Sequence, residues 1–407
     1  MIESIHIENF KSLKEVELKL GALNIFIGTN ASGKSNFFDA LRVLQGIGYG
    51  FTLDEILNGK PKSASSIEWE PIRGGSAKAM FEGNGADAIR FRLTASEKHR
   101  PGETTQSHYG IAFSPDTGRQ SEEWLTCSRE IYDSRPIGRM NTDPVFEVRY
   151  YQGKRGKQPH YRFEPSRPVL SQFAKGNPGK WTKPDVQCAA DLQVLLSNMQ
   201  RIDPSPAELR KYSQAHQIQR MGERGENFAA LVSTICKDPK AKDAYLSWLR
   251  QLRPTEIDDV GTLPGAVGEP LFVIKEGGHD FPAPVLSDGT LRFAAIAAAF
   301  FQPDMPDILT IEEIENGIHA TRLRLIVELL RQHTQTNHTQ VMVTTHSPIV
   351  LAWLKPEEYA TTFFCKRDEE TGASRICPLT EIPHFLEVIK KQPIDNLFAE
   401  GWMEAAL

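Results

Sequence analysis

The residues best suited to chemistry are the run GTNASGKS, Gly28–Ser35, which follows a short apolar strand, Leu23–Ile27. A helix follows, with Phe37, Phe38, Leu41 and Leu44 on one face, expected to close near Gly46. In that context glycines let backbone N–H groups converge on a β-phosphate, Lys34 reaches the β- and γ-phosphates, and the Ser35 hydroxyl suits Mg2+. A second stretch, ILTIEEIENGIHA, ends an apolar strand in the paired carboxylates Glu312 and Glu313. Alone, such a pair is a solvated turn. In a chain that also carries a phosphate loop, the first suits Mg2+ held through its water and the second can polarise an attacking water. LSDGTLR, Leu286–Arg292, precedes a helix. Its Ser287 and Gly289 suit phosphate binding, against the plainer reading of a helix cap by Asp288 or Thr290. TTHSP closes the strand Val341–Thr345 and offers His346 to a γ-phosphate or to water.

The elements that position these residues show two periodicities. Ile5 and Ile7, then Val16, Leu18 and Leu20, alternate with polar residues as half-buried strands do. Residues 66–170 are broken and β-leaning, with strand-like pieces at Ile89–Leu93, Tyr109–Phe113 and Val145–Tyr151. Helical pattern takes over around Asp191–Gln200, Glu226–Cys236 and Ala241–Leu252, without a sustained heptad. After Pro270, helix Leu291–Phe300, strand Ile308–Ile311, helix Thr321–His333 and strand Val341–Thr345 alternate as a parallel sheet requires. The two ends therefore read as one domain interrupted by an insertion. The expected division is 1–65 (phosphate-loop half of the head), 66–185 (inserted β-rich basic lobe), 186–260 (helical subdomain) and 261–407 (the other half of the head).

The order GTNASGKSN, LSDGT, IEEIENGIH, TTHSP resembles the ABC-type ATPase head shared by SMC, RecF and OLD proteins. It looks closest to the stand-alone predicted ATPases of bacterial defence and toxin–antitoxin operons. IHIENFKSL, LNIFIG, ERGENFAALV and LFAEGWMEAAL support the likeness, whose specific motifs cover the two ends of the chain. The resemblance implies an α/β fold: a P-loop ABC-type ATPase head, a mixed sheet with flanking helices, with the inserted β-rich lobe and a helical subdomain. It implies ATP and Mg2+ as cofactors. Gly28, Asn30, Ser32, Gly33, Lys34, Ser35 and Asn36 then form the P-loop; Glu312, with Ser35, is associated with Mg2+; and Glu313 is the catalytic base. Ser287 and Gly289 fall on the signature motif, which in this family contacts ATP held by the opposite subunit, and His346 falls on the switch histidine. Lys11 or Ser12 would border the adenine. Gln172 is the candidate metal-sensing glutamine, with Gln152 and Gln187 as competitors. Glu312 stands where the family has Asp, Ile314 where it has Pro, and the signature reads Ser-Asp-Gly. Slow hydrolysis is the expectation.

The 407 residues carry 47 basic and 52 acidic side chains and 40% apolar residues, an ordinary globular composition without a global pull toward nucleic acid. The longest apolar run is too short to span a bilayer, and the N-terminus has no secretory pattern. Five scattered cysteines argue against a disulfide framework or a zinc site and suit the cytoplasm. No Toprim or other nuclease constellation is visible. Residues 135–183 hold 11 Lys/Arg against 3 Asp/Glu, and Tyr151, Tyr161 and Phe163 interleave with the cations. DNA or RNA, a solvated lobe and a docking face for an acidic partner all fit that pattern. The favoured expectation is an ATPase that works as a homo-oligomer and switches a separately encoded effector in anti-phage defence. A RecF-like DNA-repair ATPase and a nucleotide-bound scaffold with negligible turnover are the alternatives.

Overall fold

The structure is a computed structural model that describes residues 1–63, 66–83, 85–100, 103–134, 146–151, 158–176, 180–214, 218–252, 257–336 and 339–407. The chain divides into two compact units: residues 1–21, 28–199 and 363–378 form the first, and residues 22–27, 200–362 and 379–407 the second.

The first unit is built on an eight-stranded antiparallel sheet. Its order is His160–Phe163, Phe146–Tyr150, Glu130–Ser134, Arg119–Thr126, Glu103–Ser114, Ile89–Arg100, Ile2–Phe10 and Leu13–Lys19. The N-terminal strands thus belong to the same sheet as the β-rich segment. Ile5 and Ile7 face Leu18 and Val16 on one side and Leu93 and Phe91 on the other. All six are buried, so period-two patterning sets the register. The helix Lys34–Tyr49 packs on strand Ile2–Phe10 and on the helix Lys183–Ser197. It continues past the expected stop at Gly46, where Ile56 leaves no room for a side chain and so accounts for the glycine. The helix ends at Gly50, which takes the left-handed conformation.

The second unit holds three parallel strands in the order Ile308–Ile311, Gln340–Thr345, Leu23–Gly28, with Val343 opposite Ile25. All but their polar threonines, Asn24 and Gln340 are apolar, and all are buried, as a sheet covered on both faces demands. The N-terminal strand and the late strands therefore share one sheet, as their patterning suggested. Helices Asp288–Ala299 and Ala320–Thr336 follow the expected order, and a three-stranded sheet spans Ile257–Pro264, Pro270–Glu276 and His279–Pro282. The stretch read as helical holds Lys183–Ser197, Pro206–Leu209, Phe228–Ile235 and Pro239–Arg250, broken by the strand Met199–Ile202.

The cysteine expectation needs correction. Cys127, in the turn after strand Arg119–Thr126, is joined to Cys188 on the helix Lys183–Ser197 as a disulfide. Arg129 and Asp185 pair at 2.6 Å between the same turn and helix. A separation of 61 residues hides the pairing from any reading of spacing.

Candidate functional site

In the first unit the P-loop follows directly from the end of strand Leu23–Gly28. Gly33 has φ 105° and Ala31 φ 62°, left-handed values that turn successive N–H groups inward. A Cβ on Gly28 would strike the Cys365 carbonyl, and one on Gly33 would strike the Ser374 side chain. The hairpin Thr362–Arg367/Ser374–Pro378 leaves no room there for anything but glycine. Lys34 is buried and donates to the carbonyls of Gly28 (2.7 Å) and Thr29 (2.8 Å) and to the Ser32 hydroxyl (3.3 Å). The first turn of its helix carries no acidic residue, so the positive helix end is uncompensated. These features fit a triphosphate.

Beside the loop, the Ser12 hydroxyl lies 2.7 Å from that of Ser374 and accepts from Asn36 at 2.6 Å. The Lys11 ammonium pairs with the buried Asp39 of the P-loop helix and donates to the Arg73 carbonyl (2.8 Å). Burial lowers the Lys11 pKa, and Asp39 opposes that shift. Arg73 pairs with Asp39 (3.1 Å) and donates to the Ser35 carbonyl (2.6 Å). Lys11, Ser12, Asn36, Arg73, Arg367 and Thr371 line one cavity of about 720 Å³.

In the second unit a different set converges. Ser287 caps the helix Asp288–Ala299, accepting from the Thr290 N–H (3.2 Å), while Asp288 pairs with Arg210. A Cβ on Gly289 would stand 2.6 Å from the Gly317 carbonyl, so only glycine allows the signature turn to meet the loop after Glu312 and Glu313. Arg292, one turn into that helix and buried, donates to the carbonyls of Glu312 and Glu313, both at 3.1 Å, and to Pro204 (2.8 Å). Glu313 takes φ 49°, a left-handed value costing ~1–3 kcal/mol in a residue with a side chain. Its N–H donates to the Thr344 hydroxyl (2.9 Å), and its carboxylate lies 3.5 Å from His346 Nε2. The His346 N–H donates to Glu315, and the Ile314 N–H donates to the Thr344 carbonyl (3.1 Å). A proline at 314 could not make that last bond, so the departure at Ile314 adds an anchor.

The family described as "AAA domain, putative AbiEii toxin, Type IV TA system" matches residues 240–352, and the one described as "AAA ATPase domain" matches residues 1–66. A protein of Helicobacter pylori named "ATP/GTP phosphatase" is 24% identical over 400 residues, covering 91% of this chain and 93% of its own. An SMC head bound to the C-winged helix domain of ScpA is similar in fold, with TM-score 0.51, 16% identity, and 92% of this chain and 96% of the other covered. The Pyrococcus furiosus SMC head, solved with an extended coiled coil and the C-terminal domain of ScpA, has TM-score 0.51 and 12% identity, covering 96% of this chain and 99% of the other. The fold is that of an SMC head, and both matched stretches are ATPase domains.

For this ATPase the two sets account for most residues singled out by sequence. Gly28, Ser32, Gly33, Lys34, Ser35 and Asn36 make up the loop and its helix start, with Asn30 exposed at the tip and Lys11 and Ser12 in the adjoining cavity. Ser287, Gly289, Glu312, Glu313 and His346 share the second-unit frame. Gln172 is not brought to the P-loop. Its carboxamide binds the backbone of Glu164 and Arg167, and Arg167 holds the Gly50 carbonyl. Gly50 lies at the far end of the P-loop helix, about 24 Å along its axis from Lys34. Gln187 pairs with Asp191, and Gln152 lies outside the described residues. Much of the basic stretch, 135–145, 152–157 and 177–179, also lies outside them. Where it is described, Tyr161 packs edge-on to Trp181 (5.8 Å) and Phe163 stacks on it (6.1 Å), so these aromatics are spent on packing within the lobe.

Sequence reading missed Asp39, Arg73, Arg201 and Arg292. Only Arg292 had a signal: a cation within the signature run, on a face otherwise apolar. Among the described residues no cluster of three or more His, Cys, Asp or Glu side chains suits a metal, and no helix is long and apolar enough to cross a membrane.

Proposed function

We propose that this chain is a Mg2+-dependent ATPase subunit whose ATP-bound form pairs with a second copy and switches a separately encoded effector, in cytoplasmic defence. The observation that carries the reading is the second-unit frame, in which Arg292 on the signature helix holds the Glu313 carbonyl, Gly289 abuts Gly317 and His346 lies beside the Glu313 carboxylate. In this reading Lys34 and the loop N–H groups neutralise the phosphates, and the adenosine occupies the cavity beside Lys11 and Ser12. Glu313 orients and deprotonates the attacking water, and His346 holds the Glu313 carboxylate toward the γ-phosphate. Ser35 and Glu312 are the residues that would hold Mg2+, which would supply charge neutralisation at the transferring phosphoryl group. Ser287 and Gly289 present an N-terminal helix end for the γ-phosphate of the other copy, which makes pairing depend on ATP. The family description naming a toxin–antitoxin system supports the defence setting.

The test is Glu313→Gln in saturating ATP and Mg2+, read by native mass. Turnover is expected to fall about 10²–10⁴-fold while a nucleotide-loaded homo-oligomer accumulates, and Lys34→Ala is expected to abolish both binding and pairing. A monomer under these conditions overturns the pairing. A pull-down of the trapped form that returns nucleic acid and no second protein overturns the effector reading.

A further inference from the structure

The residue at 312 is a glutamate, one methylene longer than the aspartate usual in the resembled family, and its carboxylate is not left facing water. Arg201, on strand Met199–Ile202, places its terminal guanidinium nitrogen 3.1 Å from Glu312 Oε1, while its Nε lies 3.4 Å from Glu223. The two residues are held in register from both ends. The Thr310 hydroxyl donates to the Gln200 carbonyl (3.4 Å), and Arg292 clamps the Pro204 and Glu312 carbonyls together. The Glu312 side chain is only 13% exposed, so its attraction to Arg201 is screened less than that of a surface pair.

We infer that Arg201 is a positioning residue that holds the Glu312 carboxylate and competes for it with the metal that accompanies ATP. A carboxylate shared with a guanidinium is a poorer partner for a dication, because the cations repel each other and the oxygen lone pairs are divided between them. The longer side chain is what lets the carboxylate reach Arg201. Metal engagement at Glu312 therefore requires release from Arg201, and the metal requirement of this ATPase is set by that pair. This rests on the reading of Glu312 as the metal-associated carboxylate.

The test measures the affinity of the full chain for AMP-PNP with and without Mg2+ by calorimetry, the ratio being the metal-dependent gain. Arg201→Gln is expected to raise that gain about tenfold, the size of a coupling between contacting charged groups, with metal-free affinity unchanged as an internal check on folding. Glu312→Asp, too short to keep the pair, is expected to raise it similarly, and adding Arg201→Gln to Glu312→Asp is expected to change nothing further. Arg201→Lys keeps the charge and should stay near wild type. A gain unchanged or reduced in Arg201→Gln, or fully additive effects in the double variant, overturns the competition. A metal-dependent gain that survives intact in Glu312→Gln overturns the metal-associated role of Glu312 itself, and with it the inference.

Discussion

Removing Arg292 tests whether the signature helix and Glu313, the proposed base, work as one piece. The guanidinium is 3% exposed and serves four acceptors: the Glu312, Glu313 and Pro204 carbonyls and the Asp203 carboxylate at 3.0 Å. The Asp203 side chain is 46% exposed, so the ion pair itself contributes little. Most of the loss in Arg292→Met comes from the three carbonyls, whose bonds to a charged donor are worth ~1.5–3 kcal/mol each before relaxation and water entry. A net cost of about 3–5 kcal/mol follows, the usual size for breaking a buried charged network from one side. In a unit of this size that is a melting shift of roughly 6–20 °C. The functional effect is separable. The Glu313 backbone keeps its left-handed turn through Arg292 and Thr344, so losing one clamp displaces the carboxylate, and a displacement near 1 Å costs about 10²-fold in turnover. Nucleotide affinity is set by the P-loop and should move little. The assay pairs calorimetric melting with steady-state ATPase kinetics and ATP-analogue binding. Arg292→Lys, with its charge kept but its planar fork lost, is expected to fall between. A folded Arg292→Met protein with melting within about 2 °C and turnover within about threefold of wild type would refute the clamp.

Three further outcomes are expected. Gly33→Ala forces a side chain into φ 105° and against Ser374, so nucleotide affinity should fall about 10–100-fold, the equivalent of ~1–3 kcal/mol of loop strain, measured by ATP-analogue binding. Glu123 is fully buried and accepts from Tyr109, Tyr132 and the N–H groups of Val169 and Leu170, yet burial still raises its pKa to about 7. A raised folded-state pKa means the stabilisation is full below the unfolded value near 4.5 and is lost as pH climbs through 7, a decline of roughly 3 kcal/mol across that window. Glu123→Gln should flatten that part of the pH–stability curve, and an unchanged slope would sink the assignment. Thiol labelling of the denatured, unreduced protein should count three reactive cysteines (Cys236, Cys365 and Cys377), and reduction should lower the stability of the first unit by up to ~4 kcal/mol of loop-closure entropy. Five labelled cysteines would show that Cys127 and Cys188 stay apart.

What the sequence made legible was local. The phosphate loop declares itself because its demands, a strand before it, glycines where the backbone crowds, and a helix after it, are all met within about twenty residues. The same holds for Ser287 capping its own helix and Glu313 following its own strand. Long-range requirements were invisible. Arg292 stood out as the cation of the signature run, but its partners are mainly main-chain oxygens, which leave no complementary residue to find, and Arg201 meets Glu312 across 111 positions. Gly46 read as a helix stop because glycine is a poor helix former; the glycine instead makes room for Ile56, which a side chain there would strike. Gln172 failed for a related reason, since a glutamine after a β segment names no partner, and the nearest backbone captured it. Two of the aromatics among the cations, Tyr161 and Phe163, pack on Trp181, a contact that their interleaving with cations does not reveal.

The second-unit frame gives a physical route for coupling that needs no movement within the frame itself. Ser287 and Thr290 fix the helix start, Gly289 sits on Gly317, Arg292 holds both glutamate carbonyls, and Thr344 holds the Glu313 and Ile314 N–H groups beside His346. Each link is a hydrogen bond or a contact too close for a side chain. A displacement of the signature turn is therefore passed to the backbone of Glu313 instead of being absorbed by side-chain rotation. Under the proposed function, in which a second copy engages the signature turn, such a connection matters because Glu313 already carries a strained backbone that small shifts can relieve or tighten. The strain at Glu313 and the clamp at Arg292 belong together, because the clamp maintains a conformation the residue would otherwise leave.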